Sequence, residues 1–341
     1  MKVRHLIFAA MATFALASCN KDDDSATPVV SQFPEDGVMR FTTNLVDPAT
    51  VLTRASITGS DVNATGQQFQ VKIVNPASAT YSYFNTVQFD GTEWTPVTRM
   101  LWQNDQQNIT VTAAYKQGKT FSDYEFVVGA NLTVAADQST EAKLKQQDLL
   151  TMPTKTIANP SIEQTLMQNG KLVINFYHAL TKLDVTLELG DEFYKADPKL
   201  NNASDITEFT IKGTNAGYNF QPMTTASENY GKVTPATTPV AADILPYQSE
   251  FNAATTDANQ KSTAKYEAIV VPQTIAVGAL TVSFKIGTRS FSWTNTEAYT
   301  LEQGKQYTLP LTVGNNAVTT SGRAFTASNW EDQPGDNLGT E

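Results

Sequence analysis

The chain has 341 residues, a net charge of −10, 40% hydrophobic positions and 17% charged positions. This length is sufficient for two ordinary domains. The acidic balance argues against a nucleic-acid partner, because nucleic-acid-binding domains carry basic patches. One cysteine and two histidines exclude a disulfide framework, a multi-thiolate zinc site and a histidine-rich metal cluster, and we expect no cofactor. Charged residues are scarce and threonine is abundant, which favours β-structure over helix.

Residues 1–18 have the pattern of a secretory signal peptide. A positively charged start precedes the apolar run Leu6–Leu16, which is shorter than the roughly 20 residues that a helix needs to cross a bilayer. The run ends in Leu16-Ala17-Ser18-Cys19, which resembles the lipobox of bacterial lipoproteins. We therefore predict cleavage between Ser18 and Cys19, and acylation of Cys19 as a membrane anchor.

Residues 19–37 are acidic and polar, and we interpret them as a tether. Lys21-Asp22-Asp23, directly after the predicted lipid site, resembles the surface-export signal of lipoproteins from Gram-negative gut and oral anaerobes. A calcium site at Asp22–Asp24 is disfavoured, because the segment lacks the glycine-bearing loop and distal glutamate of an EF-hand. The expected location is the outer membrane with exposure at the cell surface, and a plain solvated tether is the alternative.

From Gly37 onward, apolar and polar residues alternate with a period of two, the pattern of antiparallel strands with one buried face. The clearest predicted strands are Phe69–Ile73, Ile109–Thr112, Leu183–Leu189 and Leu280–Ile286. Turns are predicted at Asn75-Pro76, Asp90-Gly91, Gln117-Gly118, Asn169-Gly170 and Glu302-Gln303-Gly304. One short helix is predicted over Thr140–Leu150, with Leu144, Leu149 and Leu150 facing the core.

The predicted fold is mostly β, because short strands with regular turns are typical of β-sandwiches. The proline-containing stretch Thr151–Asn169 suggests a boundary between an N-terminal β-sandwich domain, residues 38–165, and a C-terminal one, residues 166–335. Lys171–Phe176 is then the first strand of the second domain. Tyr218–Lys265, rich in Pro, Thr, Ala and Asn, is interpreted as long loops over that domain.

The chain offers little for catalysis. His178 is the only histidine left after removal of the signal peptide, so a serine–histidine–aspartate triad would have to use it. The sequence contains no Gly-x-Ser-x-Gly nucleophile elbow, and we interpret His178 as a half-buried strand residue. A glycosidase with two carboxylates is disfavoured, although such a pair is defined in space and not in sequence. We therefore predict that the protein is not an enzyme.

Several pieces follow one another along most of the chain. They are the lipobox with its acidic tether, Met39-Arg40-Phe41 leading to Thr53-Arg54-Ala55, Gln147-Asp148-Leu149-Leu150, the run Phe176–Leu183, Tyr307-Thr308-Leu309, and Asn329-Trp330-Glu331. In this order they resemble the fimbrillin family, the lipoprotein precursors of strand-exchange pili. The resemblance implies two transthyretin-like antiparallel β-sandwich domains in tandem and assembly into a surface fibre.

The segment Met39–Val46 fits the role of a removable strand. Its alternate residues Met39, Phe41, Thr43 and Leu45 share one face, which we expect to fill a groove in the first domain. The resemblance implies that a trypsin-like protease cuts between Arg54 and Ala55 and releases residues 19–54 with the lipid. A strand from a neighbouring subunit then fills the groove by β-augmentation, and the head-to-tail contact propagates as a filament. An ordinary surface arginine at position 54 is the alternative.

The strand that a subunit donates is left open by the sequence. Tyr307–Val313 alternates well, and its Pro310, which lacks an N–H, is expected on a sheet edge. Val318–Trp330 is the other candidate. The tail after Trp330 contains only Leu338 as a large apolar residue, which argues against the tail as a donor and against a stalk role, and leaves a tip or anchor subunit open.

The first hypothesis is therefore a fimbrial subunit or accessory tip adhesin. Its partners are other fimbrillin subunits through donor-strand exchange, the outer membrane before processing, and a host protein or glycan receptor. The alternative is a surface glycan-binding β-sandwich lipoprotein that stacks tryptophans on sugar rings, although isolated tryptophans are more often core residues. The chain has four tryptophans: Trp94, Trp102, Trp293 and Trp330.

Overall fold

In the computed structural model, ten stretches of the chain are described. They are residues 33–46, 57–119, 130–161, 165–195, 200, 202–221, 232–254, 261–315, 317–321 and 326–330. The predicted signal peptide, most of the tether, the Arg54-Ala55 bond and the tail after Trp330 lie outside them.

The described residues are mostly β-strand. The strands up to the middle of the chain are β1 Phe41–Leu45, β2 Gln68–Asn75, β3 Ser78–Phe89, β4 Trp94–Pro96, β5 Ile109–Lys116, β6 Ala130–Thr133, β7 Leu149–Ile157, β8 Met167–Gln168, β9 Lys171–His178, β10 Thr181–Leu189, β11 Ile206–Asn215 and β12 Gly217–Gln221. The remaining strands are β13 Lys232–Pro235, β14 Ala241–Ile244, β15 Tyr247–Asn252, β16 Ser262–Val270, β17 Gln273–Ile275, β18 Thr281–Ile286, β19 Arg289–Thr294, β20 Tyr299–Leu301, β21 Lys305–Val313, β22 Val318–Thr320 and β23 Thr326–Asn329.

Helices are short and few in this part of the chain. They are α1 Gly59–Val62, α2 Glu141–Lys145 and α3 Asp191–Tyr194, together with the 3₁₀ turn Ala203–Asp205. None of the helices within the described stretches is long and apolar enough to cross a membrane.

The first half of the chain builds a mixed sheet that closes on itself. The strand order is β1-β4-β3-β2-β5-β7-β9-β8, and β1 also pairs with β9, so that seven strands form a ring with β8 attached outside it. The pairing of β1 with β9 is parallel, and the other pairings in the sheet are antiparallel. Alternate side chains of these strands share one apolar core, to which Phe69, Tyr115, Ile174 and Phe176 belong.

The second half builds two sheets around a second core. One sheet has the order β15-β16-β10-β21-β22, with β23 also paired to β21, and the other has the order β14-β11-β18-β19. Leu183, Val185 and Leu187 of β10 share this core with Val282 and Phe284 of β18. Inward-facing residues from two sheets that form one core define a β-sandwich.

A third apolar cluster takes residues from both halves. It includes Ala114 and Leu149 from the first half and Tyr218, Ile269 and Trp330 from the second. Two small sheets complete the described fold, β13-β12-β6 and β17-β20. Strand β6 therefore pairs with a strand of the second half, although it precedes β7 in the chain.

Most local predictions are confirmed. The four clearest predicted strands lie in β2, β5, β10 and β18, and the predicted turns fall at the ends of strands. The predicted helix is shorter than expected: α2 begins after Thr140, whose Oγ1 accepts a hydrogen bond from the Lys143 N–H, and Leu149 and Leu150 already belong to β7. The three leucines are buried as predicted.

The prediction that Lys171–Phe176 begins the second domain is wrong for this strand. It lies in β9, which pairs with β1 and β7, and its apolar residues belong to the first core. The second core begins with Leu183 of β10. Periodicity identifies a strand, but it carries no information about which strands lie beside it.

The prediction of long loops over Tyr218–Lys265 is also wrong for the described residues of this range, 218–221, 232–254 and 261–265. Strands β13, β14 and β15 lie within this range, together with most of β12 and the start of β16. These strands are short and most residues of β14 and β15 are at least partly exposed, so the alternation of apolar residues is weak. A polar composition thus reflected edge strands and not loops.

Pro310 does not lie on an edge strand, which corrects a further prediction. It lies within β21, between the residues that pair with β23 and those that pair with β22. Its carbonyl accepts a hydrogen bond from the Ser321 N–H on that side of the strand. The missing N–H of the proline falls where the neighbouring strand changes, so no ladder hydrogen bond is lost.

Candidate functional site

The leading strand β1 closes the ring of the N-terminal sheet. It runs parallel to β9 over all five of its residues, from the pair Phe41–Leu172 to the pair Leu45–Phe176. The Leu172 N–H donates to the Arg40 carbonyl at 2.7 Å, and the Val46 N–H donates to the Phe176 carbonyl at 2.9 Å. On the other side of β1, only the pair Phe41–Trp94 joins it to β4.

The residues just before β1 are held by the loop Val97–Trp102, here called the clamp loop. The Met39 N–H donates to the Met100 carbonyl at 3.0 Å. The Trp102 N–H donates to the Gly37 carbonyl at 2.9 Å. The clamp loop therefore forms the wall of the groove opposite β9, beyond the end of β4.

The clamp loop is also held from behind, by side chains of β3. The Tyr81 hydroxyl donates to the Leu101 carbonyl at 2.7 Å, and the Leu101 N–H donates to the Tyr83 hydroxyl at 3.3 Å. The Asn85 amide donates to the Thr98 carbonyl and its oxygen accepts from the Thr98 N–H. Because these contacts do not involve β1, they fix the position of the groove wall independently of the strand that fills it.

The inward face of β1 packs on an aromatic floor. The Phe41 ring lies 5.9 Å from Phe69 in an edge-on arrangement, and Phe69 in turn lies 4.9 Å from Trp94 and 5.6 Å from Phe176. The predicted face is confirmed, with Leu45 at its half-buried end. The buried residues of this face are Met39, Phe41 and Thr43.

One position on the inward face is polar. Thr43 is buried, and its Oγ1 donates to Asn63 Oδ1 at 2.9 Å. The same oxygen accepts the Trp94 indole N–H at 2.8 Å, while Asn63 Nδ2 donates to the Gly59 carbonyl at 2.9 Å. The groove thus combines apolar contacts with one hydrogen bond, which Thr43 donates to Asn63. Thr43 is the third inward residue of the segment, after Met39 and Phe41.

The outward face of β1 contacts little besides its strand neighbours. The Arg40 guanidinium donates to both carboxylate oxygens of Asp36, at 3.0 and 2.6 Å, and these hydrogen bonds hold the pKa of Asp36 well below its usual range. Asn44 Nδ2 donates to Asn175 Oδ1 at 3.2 Å. These side chains are largely solvent-accessible, so they contribute little to the attachment of the strand.

Strand β10, the first strand of the second half, also has a parallel neighbour but is held more firmly than β1. It pairs with β16 over its whole length, and with β21, in parallel, from Lys182 to Leu189. The buried Lys182 ammonium also lies 2.7 Å from the Glu267 carboxylate of β16. By comparison, β1 pairs along its whole length only with β9, and with β4 at a single residue pair.

The candidate catalytic residue His178 lies at the end of β9 and is buried rather than half-buried. Its Nδ1 lies 3.1 Å from Asp148 Oδ1, and its ring stacks on the Trp330 indole at 4.3 Å. Within the described stretches, no hydroxyl is hydrogen-bonded to His178 Nε2. His178 and Asp148 therefore resemble the histidine and aspartate of a triad, but they are buried in the core and have no nucleophile hydrogen-bonded to the histidine among the described residues.

The buried acids of the second half are ion-paired. Besides the Lys182–Glu267 contact, the Lys265 ammonium lies 2.9 Å from Asp184 and 3.0 Å from Glu267. Burial opposes ionisation of Glu267, but the two lysine charges outweigh it and lower the pKa of this carboxyl below its ordinary value. Across the part of the chain that the structure describes, no group of three or more His, Cys, Asp or Glu is placed to hold a metal.

The four tryptophans of the glycan-binding alternative are core residues. Their exposed fractions are 3% for Trp94, 6% for Trp102, 8% for Trp293 and 2% for Trp330. Stacking on a sugar ring requires an open indole face, so none of the four supplies a sugar platform in this conformation.

The predicted processing residues Ser18, Cys19, Arg54 and Ala55 lie outside the described residues. Strand β1 ends at Leu45, the described residues continue to Val46, and the next described residue is Ile57, which is buried in the first core. The predicted cleavage site is thus in the segment that follows the leading strand directly.

Neither the role of Asn63 nor that of the clamp loop was predicted from the sequence. Asn63 follows α1, which starts with a capping box in which Thr58 Oγ1 accepts from the Asp61 N–H and the Asp61 carboxylate accepts from the Thr58 N–H. The spacing Thr58-x-x-Asp61 is a recognisable helix start. It could have revealed the helix, although not its contact with β1.

The chain belongs to the fimbrillin-like family, whose model matches residues 53–330. The match begins one residue before Arg54, so β1 lies outside it. No curated protein sequence matches the chain significantly.

Solved structures share the fold. A candidate cell adhesion protein from Bacteroides uniformis superposes with a TM-score of 0.55 at 17% identity, over 87% of this chain and 99% of that one. A candidate cell adhesion protein from Bacteroides ovatus gives a TM-score of 0.53 at 16% identity, over 87% and 98% of the two chains. Family membership supports a pilus subunit or adhesin at the cell surface.

The aromatic contact of Phe41 allows a direct test of how β1 is held. Phe41→Ala removes a fully buried ring next to Phe69, and we expect it to lower the free energy of unfolding of the first half by about 3 kcal/mol. Thr42→Ala, on the outward face of the same strand, is the matched control and should cost under about 0.5 kcal/mol. Urea unfolding followed by tryptophan fluorescence measures both. Equal effects of the two substitutions would show that the inward face does not hold the strand.

Proposed function

We propose that the protein is a surface-exposed fimbrial subunit or accessory tip adhesin that assembles by protease-triggered β-strand exchange. One observation carries the proposal: β1 fills the seam of a closed sheet and is followed directly by the segment 47–56, which contains Arg54-Ala55. A single cut in the segment 47–56 therefore separates β1 covalently from the rest of the domain.

The path to the surface follows from the sequence. Residues 1–18 direct export, Cys19 receives the lipid, and the acidic tether places the folded part outside the outer membrane. A cut between Arg54 and Ala55 then leaves β1 attached to the domain only through non-covalent contacts. The lipid departs with residues 19–54 when β1 leaves.

The groove that β1 leaves behind favours the binding of another strand. Loss of β1 leaves the N–H and C=O groups of β9 from Leu172 to Phe176 without partners on one edge and uncovers the aromatic floor around Phe69. Unpaired strand edges and exposed apolar floors both favour a new strand. A neighbouring subunit supplies it, and since the contact is head-to-tail and does not close, it continues as a fibre.

We further propose that the two halves are transthyretin-like β-sandwich domains in tandem. In each half the first strand pairs in parallel with a strand near the end of that half, β1 with β9 and β10 with β21, which supports a repeated topology. The change from the first core to the second, between Phe176 and Leu183, supports a boundary between them, after residue 165. A host protein or glycan receptor is the partner that the assembled fibre would contact.

The cleavage step is tested with Arg54→Gln. After mild trypsin treatment in the presence of the other fimbrial subunits, we expect the unmodified protein to yield a fragment that begins at Ala55 and to enter fibres visible by electron microscopy. Arg54→Gln should stay uncut at this bond and monomeric, because the protease needs a basic residue there. Lys232→Gln, at an exposed trypsin-type residue in β13 and outside the groove, is the control and should behave like the unmodified protein. Cleavage at Arg54 without any change in assembly would contradict the proposal.

The anchor is tested with Cys19→Ser in cells that export the protein. Labelled fatty acid should be incorporated into the unmodified protein and absent from the variant, because only the thiol at the lipobox is acylated. The variant should also leave the membrane fraction, since acyl chains provide the attachment. Ser25→Ala, in the adjacent tether, should keep both label and location. Incorporation of label into Cys19→Ser would rule out this anchor.

A further inference from the structure

We propose that the groove selects its incoming strand by the hydrogen bond at Asn63. The incoming strand runs parallel to β9. It carries an aromatic residue at the place of Phe41, the second inward position, and a serine or threonine at the place of Thr43, the third. The proposal rests on the proposed function, because it specifies the partner of the same groove. It is derived from the contacts of β1, which occupies the groove before exchange.

The direction of the hydrogen bond at Asn63 is fixed by its other contacts. Its amide nitrogen donates to the Gly59 carbonyl at 2.9 Å, and its oxygen already accepts the Trp94 indole N–H at 2.8 Å. Turning the amide around would place nitrogen against that indole N–H and oxygen against the Gly59 carbonyl, two unfavourable contacts. Asn63 Oδ1 therefore remains an acceptor, and the third inward residue of the strand has to donate.

The neighbouring inward positions define where the donor lies along the strand. Phe41, two residues before Thr43, contacts Phe69 of the aromatic floor, and Leu45, two residues after it, packs against the first core. The Thr43 side chain is buried between them. A shift of register by two residues would place an apolar side chain at Asn63 and the hydroxyl over apolar floor, so the polar contact fixes the register as well as the composition.

The chain's own last strands do not fit this pattern. Within Val318–Trp330, the aromatic residues Phe325 and Trp330 are followed two positions later by Ala327 and Asp332, neither of which is a serine or threonine. The proposal therefore commits to a strand of a different fimbrial subunit, and not to the C-terminal strands of a second copy of this chain.

The test measures exchange in the nicked protein. The exported chain, residues 19–341, carries a specific protease sequence in place of residues 50–55 and is cut there, so that the resident β1 is held non-covalently. A fluorescent peptide of residues 33–46 is added, and its occupancy at equilibrium is compared with that of two variants. Thr43→Val and Thr42→Val make the same chemical change on adjacent residues that face opposite sides of the strand.

We expect Thr43→Val to reduce the affinity of the peptide about fivefold, the effect of losing one hydrogen bond at a partly solvated acceptor. Thr42→Val should change it less than twofold. The preference for threonine over valine at position 43 should disappear when the protein carries Asn63→Ala, because a double-mutant cycle isolates the contact between the two residues.

The outcomes separate this inference from the proposed function. If the unmodified peptide never enters the nicked protein, strand exchange itself fails. If it enters but Thr43→Val and Thr42→Val behave alike, or the threonine preference persists in Asn63→Ala, exchange stands and the selection at Asn63 is overturned.

Discussion

The parallel pairing of β1 with β9 is the contact on which the closed N-terminal sheet depends. It supplies the seventh strand of the ring and covers the aromatic floor around Phe69. Because β1 has a full neighbour on one side only, its departure breaks fewer ladder hydrogen bonds than the departure of β10 would. The departure of β1 nevertheless exposes to solvent the apolar surface that this strand covers. These two properties together suit a strand that is replaced and not merely lost.

The walls of the groove are held by contacts that do not include β1. Tyr81 and Tyr83 fix the clamp loop, and Asn63 is held by Gly59 and Trp94. An incoming strand therefore meets a surface whose polar and apolar positions are already in place, which lowers the entropic cost of binding. The same rigidity makes the groove selective, since a fixed acceptor discriminates between strands that present a hydroxyl and strands that do not.

Local features of this fold could be predicted from the sequence, and pairing could not. The alternation in Met39–Val46 correctly predicted which residues of β1 are buried, because the period of two is a property of the strand alone. The place of Lys171–Phe176 beside β1 joins residues about 130 positions apart, and no periodicity records such a contact. The short strands within Tyr218–Lys265 were missed because their exposed faces hide the alternation. The Asn63 contact depends on three separate elements meeting, and only the helix start was visible.

A reversible covalent link between β1 and β9 tests most directly whether β1 has to leave for assembly. Asn44 and Asn175 are paired across the two strands, and adjacent strands are about 4.8 Å apart, within the range that a disulfide spans. In a Cys19→Ser background and with the other fimbrial subunits present, Asn44→Cys with Asn175→Cys should block fibre formation after the cut at Arg54 while oxidised, and reduction should restore it. Fibres that form equally well from the oxidised, fully cross-linked protein would contradict the account.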